Sequence, residues 1–358
     1  MFSVTSPPPP DRPTEAATDV RYSRQVRFAP LGADGQVALA GATAVIVGVG
    51  ALGSVAAEIL ARAGVGRLRI VDRDVLDISN LQRQSLYTEA DLATGLPKAA
   101  LAATHLAAIN SQIEIEPIVA DVTAANVLTL TAGADVIVDG LDNFETRFLL
   151  NDVSIRTGTP WVMGGCLGAA GQVMTVLPGE TACLRCVMPA AEAGAAGETC
   201  DAAGVLGPIV HVVAATQAAE AIKVLSGRRS AVRPGLTVFD LWENRFHRVD
   251  LTGVRERSAC PCCREGRTDW LDGRRGSVTA ALCGRNAVQL SFPDRAPPAL
   301  APLAERWRAL GAVTRNRFLA KLDLGPHVLT VFADGRTLVQ GTEDVAEARS
   351  LHARYVGA

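Results

Sequence analysis

Between residues 42 and 163, short uninterrupted apolar runs alternate with stretches of helical character. Residues 42–47 (ATAVIV) are apolar almost throughout and stop at Gly48, the pattern of a parallel strand buried on both faces. Residues 51–63 (ALGSVAAEILARA) predict a helix closed by Gly64, and residues 67–71 (RLRIV) predict a second strand ending at Asp72, which completes a βαβ unit. The alternation continues with helix 98–109, strand 113–119, helix 124–131, strand 135–138, helix 143–157 and strand 161–163. Such a series predicts an α/β fold, a Rossmann-like, doubly wound, mostly parallel sheet with helices on both faces.

From Gly165 onward the period changes. Residues 171–177 (GQVMTVL) and 236–251 (LTVFDLWENRFHRVDL) alternate apolar with polar positions, so the sheet is expected to continue into an antiparallel half. Between them, residues 189–204 are rich in Ala and Gly without apolar period and predict a mobile loop ahead of a helix at 209–225. The charged residues 264–276 (REGRTDWLDGRRG) are expected to form a linker between a main domain at 21–263 and a small α+β domain at 277–358. In that last domain the pattern predicts strands at 287–292 and 318–324, a hairpin at 327–340 turning at Asp334-Gly335, and helices near 300–310 and 343–355.

A chain of 358 residues is long enough to build these cores without disulfide staples. With Lys+Arg 35 against Asp+Glu 37, it lacks the overall positive field that draws proteins to nucleic acid or anionic membrane, so neither is an expected partner. No run of eighteen apolar residues is free of charges or turn formers, and no membrane span is expected. Residues 1–20 carry a four-proline run and acidic residues where a signal peptide needs a basic start and an apolar stretch; they read as a disordered tail on a cytoplasmic protein.

Candidate chemistry begins with Gly48-Val49-Gly50-Ala51-Leu52-Gly53, placed where the first strand meets the first helix, and with Asp72 about 20 residues further on. In that arrangement Gly48, Gly50 and Gly53 let backbone approach a phosphate while the acid holds ribose hydroxyls. An NAD(P)-dependent oxidoreductase carries the same pattern. The following residues, Asp72-Arg73-Asp74, Ser79-Asn80-Leu81-Gln82-Arg83-Gln84 and Gly95-Leu96-Pro97-Lys98, add cations, carboxylates and amides at the carboxyl edge of the second strand. A triphosphate needs such cations to offset its charge and acids to hold Mg²⁺.

RYSRQ (residues 21–25), GVGALG, DRDVLDISNLQRQ (residues 72–84), GLPK and DGLDN (residues 139–143) stand in the order and spacing of the MoeB/ThiF adenylyltransferases, relatives of ubiquitin-activating enzymes, which the chain resembles from Arg21 to about Cys263. The resemblance implies that Asp72 binds ribose, that Asn80, Arg83 and Lys98 contact ATP phosphates, that Asp142 holds Mg²⁺ and that Arg24 reaches the γ-phosphate from the partner subunit of a homodimer. Asp74, Gln84 and Asn143, in the same motifs, complete the expected nucleotide set. It further implies adenylation of the C-terminal Gly-Gly carboxylate of a small ubiquitin-like sulfur-carrier protein of the MoaD/ThiS type, with a sulfur donor such as a cysteine desulfurase or a rhodanese. A non-catalytic scaffold on the same fold is the other alternative, and it would have no need of Arg24, Arg83, Lys98 and Asp142 together.

The eight cysteines divide by spacing. Cys183-Leu184-Arg185-Cys186 and Cys260-Pro261-Cys262-Cys263 form two CxxC knuckles, and four thiolates so arranged suit a closed, structural Zn²⁺ site. Cys262 offers a competing ligand, but only Cys260 and Cys263 keep the knuckle spacing. Cys166 reads as a small core residue. Cys200, at the end of the Ala/Gly-rich loop, stands where some members of the resembled family carry a cysteine for sulfur transfer. Cys283, beside Arg285 in the last domain, is a weaker candidate of the same kind.

Overall fold

The computed structural model describes residues 15–189, 204–275, 280–282, 286–292 and 295–357. The chain divides into two compact units, Phe2–Ala93 with Pro97–Arg275, and Gly276–Ala358 with Thr94–Leu96. In the larger unit the strands are β1 (Thr43–Val47), β2 (Arg67–Asp72), β3 (Glu114–Val119), β4 (Val136–Asp139), β5 (Trp161–Leu167), β6 (Ala170–Val176), β7 (Gly235–Asp240) and β8 (Arg245–Asp250). They form one sheet in the order β3-β2-β1-β4-β5-β6-β7-β8. Pairing is parallel from β3 to β5 and antiparallel from β5 to β8, the mixed architecture the two hydrophobic periods predict.

The chain leaves β1 toward β2 and β3, then crosses back to β4 on the other side of β1. Strand order therefore reverses at β1, and a crevice opens beyond the carboxyl ends of β1 and β4. The register makes these ends level, since Val47 pairs with both Val71 and Asp139. Burial of Ala44 to Val47 on both faces is what the continuous apolar run requires.

Helix α3 (Ala51–Ala63) covers the sheet and ends at Gly64 in the left-handed conformation, φ 81°. The helix Gly207–Leu225 is long and apolar enough to cross a membrane by length and composition, which the reading of apolar runs did not foresee. It packs instead on α3, β5 and β6, and its buried Gln217 donates to the carbonyls of Asp139 (2.7 Å) and Val162 (3.2 Å), as a core helix does.

Four expectations change. The tail does not extend to residue 20, because α1 (Glu15–Val26) begins at Glu15, and a second helix, α2 (Gly32–Gly41), precedes β1. The helix expected at 124–131 shrinks to Val127–Leu130; Asn126 accepts from the Thr123 N–H and donates to the Asp121 carbonyl, capturing backbone groups a longer helix would need. Strand β5 runs on to Leu167 because β6 pairs with it along its full length. Residues 264–275 are no linker. Trp270 is 4% exposed and stacks on Phe148 at 4.5 Å, the Asp152 carboxylate accepts its backbone N–H at 2.9 Å, and buried Asp269 pairs with Arg185 at 3.3 Å.

The smaller unit is a six-stranded antiparallel sheet with helices Leu300–Trp307 and Val345–Tyr355. Its core includes Val288, Leu303, Trp307, Leu322, Leu329 and Val331, and its hairpin turns at Gly335 with φ 91°. The two strands the sequence did not reveal, Ala280–Leu282 and Ala312–Arg315, are the short edges of this sheet.

Because Trp270 anchors the end of the larger unit, Trp270→Ala should cost about 3–5 kcal/mol in urea unfolding. A cost below about 1 kcal/mol, the range of surface substitutions, would return residues 264–275 to a tether.

Candidate active site and metal centre

The glycine loop is fixed by close backbone approach. A Cβ on Gly53 would fall 1.8 Å from the Gly48 carbonyl oxygen, and one on Gly140 would fall 2.1 Å from the same atom. Gly48 itself has φ 85°, and a Cβ there would meet the Gly140 oxygen at 2.8 Å. Gly50 differs: a Cβ there would meet nothing nearer than Gln84 Nε2 at 3.6 Å. Protein packing therefore does not demand a glycine at 50, and the space lies at the N-cap of α3, where the first N–H groups have no intrahelical partner and favour an anion.

Asp72 sits under this loop, buried. One oxygen accepts the Val49 N–H at 2.8 Å and the other the Asp74 N–H at 2.7 Å. Burial pushes its carboxyl up, with Asp74 adding to the effect and Lys98 opposing it. Asp74 lies 3.6 Å from Lys98 Nζ and 3.7 Å from Arg73 Nε, while Arg73 pairs with Asp121 at 3.0 Å. Asp74 thus holds two cations in place. Lys98, 3% exposed, is the first residue of α5 (Lys98–Ile109).

Asn80 Oδ1 accepts the Asp77 N–H at 3.2 Å in a capping box, and Arg83 Nη1 donates to the Ser79 carbonyl at 2.9 Å. These contacts organise the 77–83 turn. Gln84 is buried with its Nε2 beside Gly50, and its Oε1, itself buried, lacks a protein partner.

From the other side of the crevice comes the loop after β4. Asp139 is fully buried; Arg147 Nε donates to it at 3.1 Å and the Leu141 N–H at 2.8 Å. Burial pushes its carboxyl up to about 6 even though Arg147 pulls the other way. Arg147 also donates to the carbonyls of Leu141 (2.6 Å) and Gly164 (2.8 Å), so it fixes the loop. The sequence reading missed it; Arg147 lies on α7 (Phe144–Thr157), whose buried positions mix apolar residues with Asn151, Asp152 and Ser154, so no apolar stripe singles it out. Asn143 caps α7, accepting the Thr146 N–H at 2.9 Å, and leaves Asp142 exposed at the loop's rim.

Arg24 is exposed on α1 and does not join the site of its own chain. Its neighbour Gln25 donates to the Ala63 carbonyl at 2.9 Å, and Tyr22 packs under Gly64, so α1 is tied to the far end of α3. The thirteen residues of α3 put about 20 Å between that end and Gly50.

The sulfurs of Cys183, Cys186, Cys260 and Cys263 all lie within 4.8 Å of one another. Cys183 is 3.6 Å from Cys260 and 3.9 Å from Cys186, and Cys186 is 3.4 Å from Cys263. A tetrahedral zinc with Zn–S bonds near 2.3 Å has edges of about 3.8 Å, so the four thiols fit the ion. Cys262 stands beside Cys183 but outside the four-sulfur set: Asn151 donates to its sulfur at 3.3 Å, and its thiol donates to Asp152 at 3.4 Å. Cys166 is half-buried near the Ile209 carbonyl. Cys200 and Cys283 lie outside the described residues.

The ligand set is checked by metal content. Cys183→Ser should lose bound zinc and lower the melting temperature, whereas Cys262→Ala should keep one zinc per chain. Retention of zinc by Cys263→Ala together with its loss from Cys262→Ala would reverse the assignment.

Comparison with known proteins places the chain among relatives. The ThiF family model matches residues 22–262. The sulfur carrier protein ThiS adenylyltransferase of Bacillus subtilis is 43% identical over 338 residues, 94% of this chain and 99% of that protein. The sulfur carrier protein adenylyltransferase of Thermus thermophilus is 38% identical, covering 68% of this chain and 90% of the relative. The crystal structure of Escherichia coli MccB shares the fold, with a TM-score of 0.59 over 69% of this chain and 72% of MccB at 24% identity. Matched by the family model over residues 22–262, and 43% identical to the Bacillus protein over 94% of its length, this chain belongs to the ThiF family.

Proposed function

We propose that the protein is an adenylyltransferase that uses ATP to activate the C-terminal Gly-Gly carboxylate of a small ubiquitin-like sulfur-carrier protein, releasing pyrophosphate and forming an acyl-adenylate. The observation that carries this reading is the room at Gly50, at the N-terminus of α3, where a Cβ would meet only Gln84 Nε2 at 3.6 Å, with Gly140 bringing the Asp139–Asn143 loop against the same glycine loop. The carrier-activating names of the relatives support it.

The chemistry needs little proton transfer. A C-terminal carboxyl with a reference pKa of about 3.5 is already an anion at neutral pH and attacks the α-phosphorus without a general base. Repulsion between that anion and the polyphosphate is the obstacle, so catalysis consists of neutralising charge and holding the groups in line. Helix α3 offers backbone N–H groups to phosphate, Lys98 and Arg83 supply cations, and Asp72 keeps acceptor capacity for ribose hydroxyls. A single exposed carboxylate such as Asp142 suits Mg²⁺, which is held by one or two protein oxygens plus phosphates and supplies further charge neutralisation when bound. Zinc, enclosed by four thiolates, leaves no position for water and acts in folding.

The anchoring of α1 to the far end of α3 supports a homodimer in which Arg24 serves the partner's ATP. Sulfur transfer follows adenylation, with a cysteine desulfurase or rhodanese as donor and Cys200 as a candidate participant. The reading places the protein in the cytoplasm with no nucleic-acid or membrane partner.

With ATP, Mg²⁺ and its carrier, the protein should release pyrophosphate, and Cys200→Ala should leave that release nearly intact. Binding of NAD(H) without ATP would replace this reading by an oxidoreductase. Arg24→Ala and Asp142→Ala should each be inactive alone, yet after verified subunit exchange about a quarter of wild-type activity should return, since half the dimers are mixed and each has one intact site. No recovery would overturn the action of Arg24 across a subunit interface.

A further inference from the structure

Tyr87 has no part in the motifs that define the site, yet its side chain reaches the centre of the glycine loop. It is 5% exposed, and its hydroxyl donates to the Val49 carbonyl at 2.7 Å, with the Lys98 carbonyl 3.3 Å from the same oxygen. Val49 is therefore held on both sides, its N–H by Asp72 at 2.8 Å and its C=O by Tyr87. A peptide unit is planar and trans, so a carbonyl and the following N–H point in opposite directions. Drawing the Val49 carbonyl down to Tyr87 therefore turns the Gly50 N–H to the opposite side of the peptide, away from Tyr87, at the N-cap of α3.

We propose that Tyr87 is a positioning residue for phosphate binding: it locks the Val49–Gly50 peptide so that the Gly50 N–H faces the nucleotide's phosphates, and ties that peptide to the start of the helix that carries Lys98. The inference rests on the ATP reading above. The hydroxyl is well suited to a permanent donor role, because burial first, and the carboxylates of Asp72, Asp91 and Asp74 after it, push the phenol well above its ordinary range. The ring is held as well. His105 packs against it edge-on at 6.5 Å and pairs with Asp91 at 2.9 Å, and Asp91 closes a capping box with Thr88, the next residue. A phenylalanine would keep this packing and leave the fully buried Val49 carbonyl without its donor.

The effect should be confined to phosphate. In Tyr87→Phe the dissociation constant for a non-hydrolysable ATP analogue should rise about three- to tenfold, the loss of one such hydrogen bond, while that for adenosine stays unchanged. The KM for ATP in carrier-dependent pyrophosphate release should rise in step. Equal weakening of both ligands, or of neither, overturns the role. Failure of the wild-type protein to bind ATP would instead reject the adenylyltransferase reading on which it stands. A measurement on the wild-type protein decides the matter even if the variant does not fold: in protein labelled with [15N]glycine, the Gly50 amide resonance should move on adding the ATP analogue and stay in place with adenosine, and a resonance indifferent to the ATP analogue overturns the proposal.

Discussion

One carbonyl oxygen, that of Gly48, is the point on which the larger unit converges. Gly53 presses on it from the first turn of α3, and Gly140 presses on it from the loop after β4, both closer than any side chain would allow. The first approach brings the helix down onto the end of β1, so that its N-terminus opens at the level where the strands stop. The second brings the Asp139–Asn143 loop to the same place. The level register of Val47 with Val71 and Asp139 does the rest, setting Asp72 and Asp139 on either side of the loop. A β-carbon at either glycine would separate the two halves of the site before any catalytic side chain was touched.

Charge in this crevice is arranged in supports. Asp74 faces Lys98 and Arg73, Arg73 faces Asp121, and Asp139 faces Arg147. The Asp139–Arg147 pair is buried, and a buried pair is a poor source of stability, since desolvation offsets much of the attraction and pushes the Asp139 carboxyl up to about 6 despite its partner. The evident yield of these pairs is placement. Arg147 bridges Asp139 with two backbone carbonyls, and Lys98 is held at the head of its helix by an acid that motif reading alone would assign to the nucleotide.

What the sequence made legible were features whose cause is local. Continuous apolar runs give the buried strands, Gly48 to Gly53 mark the strand-to-helix turn, and the CxxC spacing selects Cys260 and Cys263 over Cys262, as the sulfur distances do. Residues 264–275 misled because their average is charged, while three of them, Thr268, Asp269 and Trp270, are buried. Asn80 and Asn143 read as ligand contacts because they stand in nucleotide motifs, yet their side chains also perform the ordinary work of capping a turn and a helix. Tyr87 and Arg147 were invisible for a different reason. Each acts on backbone atoms that lie far along the chain, Val49 for Tyr87 and Gly164 for Arg147, and no period or motif encodes such a partner.

The cysteine cluster joins the site by the same logic of support. Helix α7 begins at the cap Asn143, beside Asp142, and two turns later presents Asn151 and Asp152. Asn151 accepts the N–H of Leu184 in one knuckle at 2.8 Å and donates to Cys262 in the other. Asp152 accepts from Cys262 and from the Trp270 N–H. The helix is thereby gripped along its middle by both segments that a zinc ion would hold together, and by the residues after them. A metal held by the four cysteines would bear on the candidate site from a distance, because the helix it would steady is the one whose first turn sets the loop that carries Asp142.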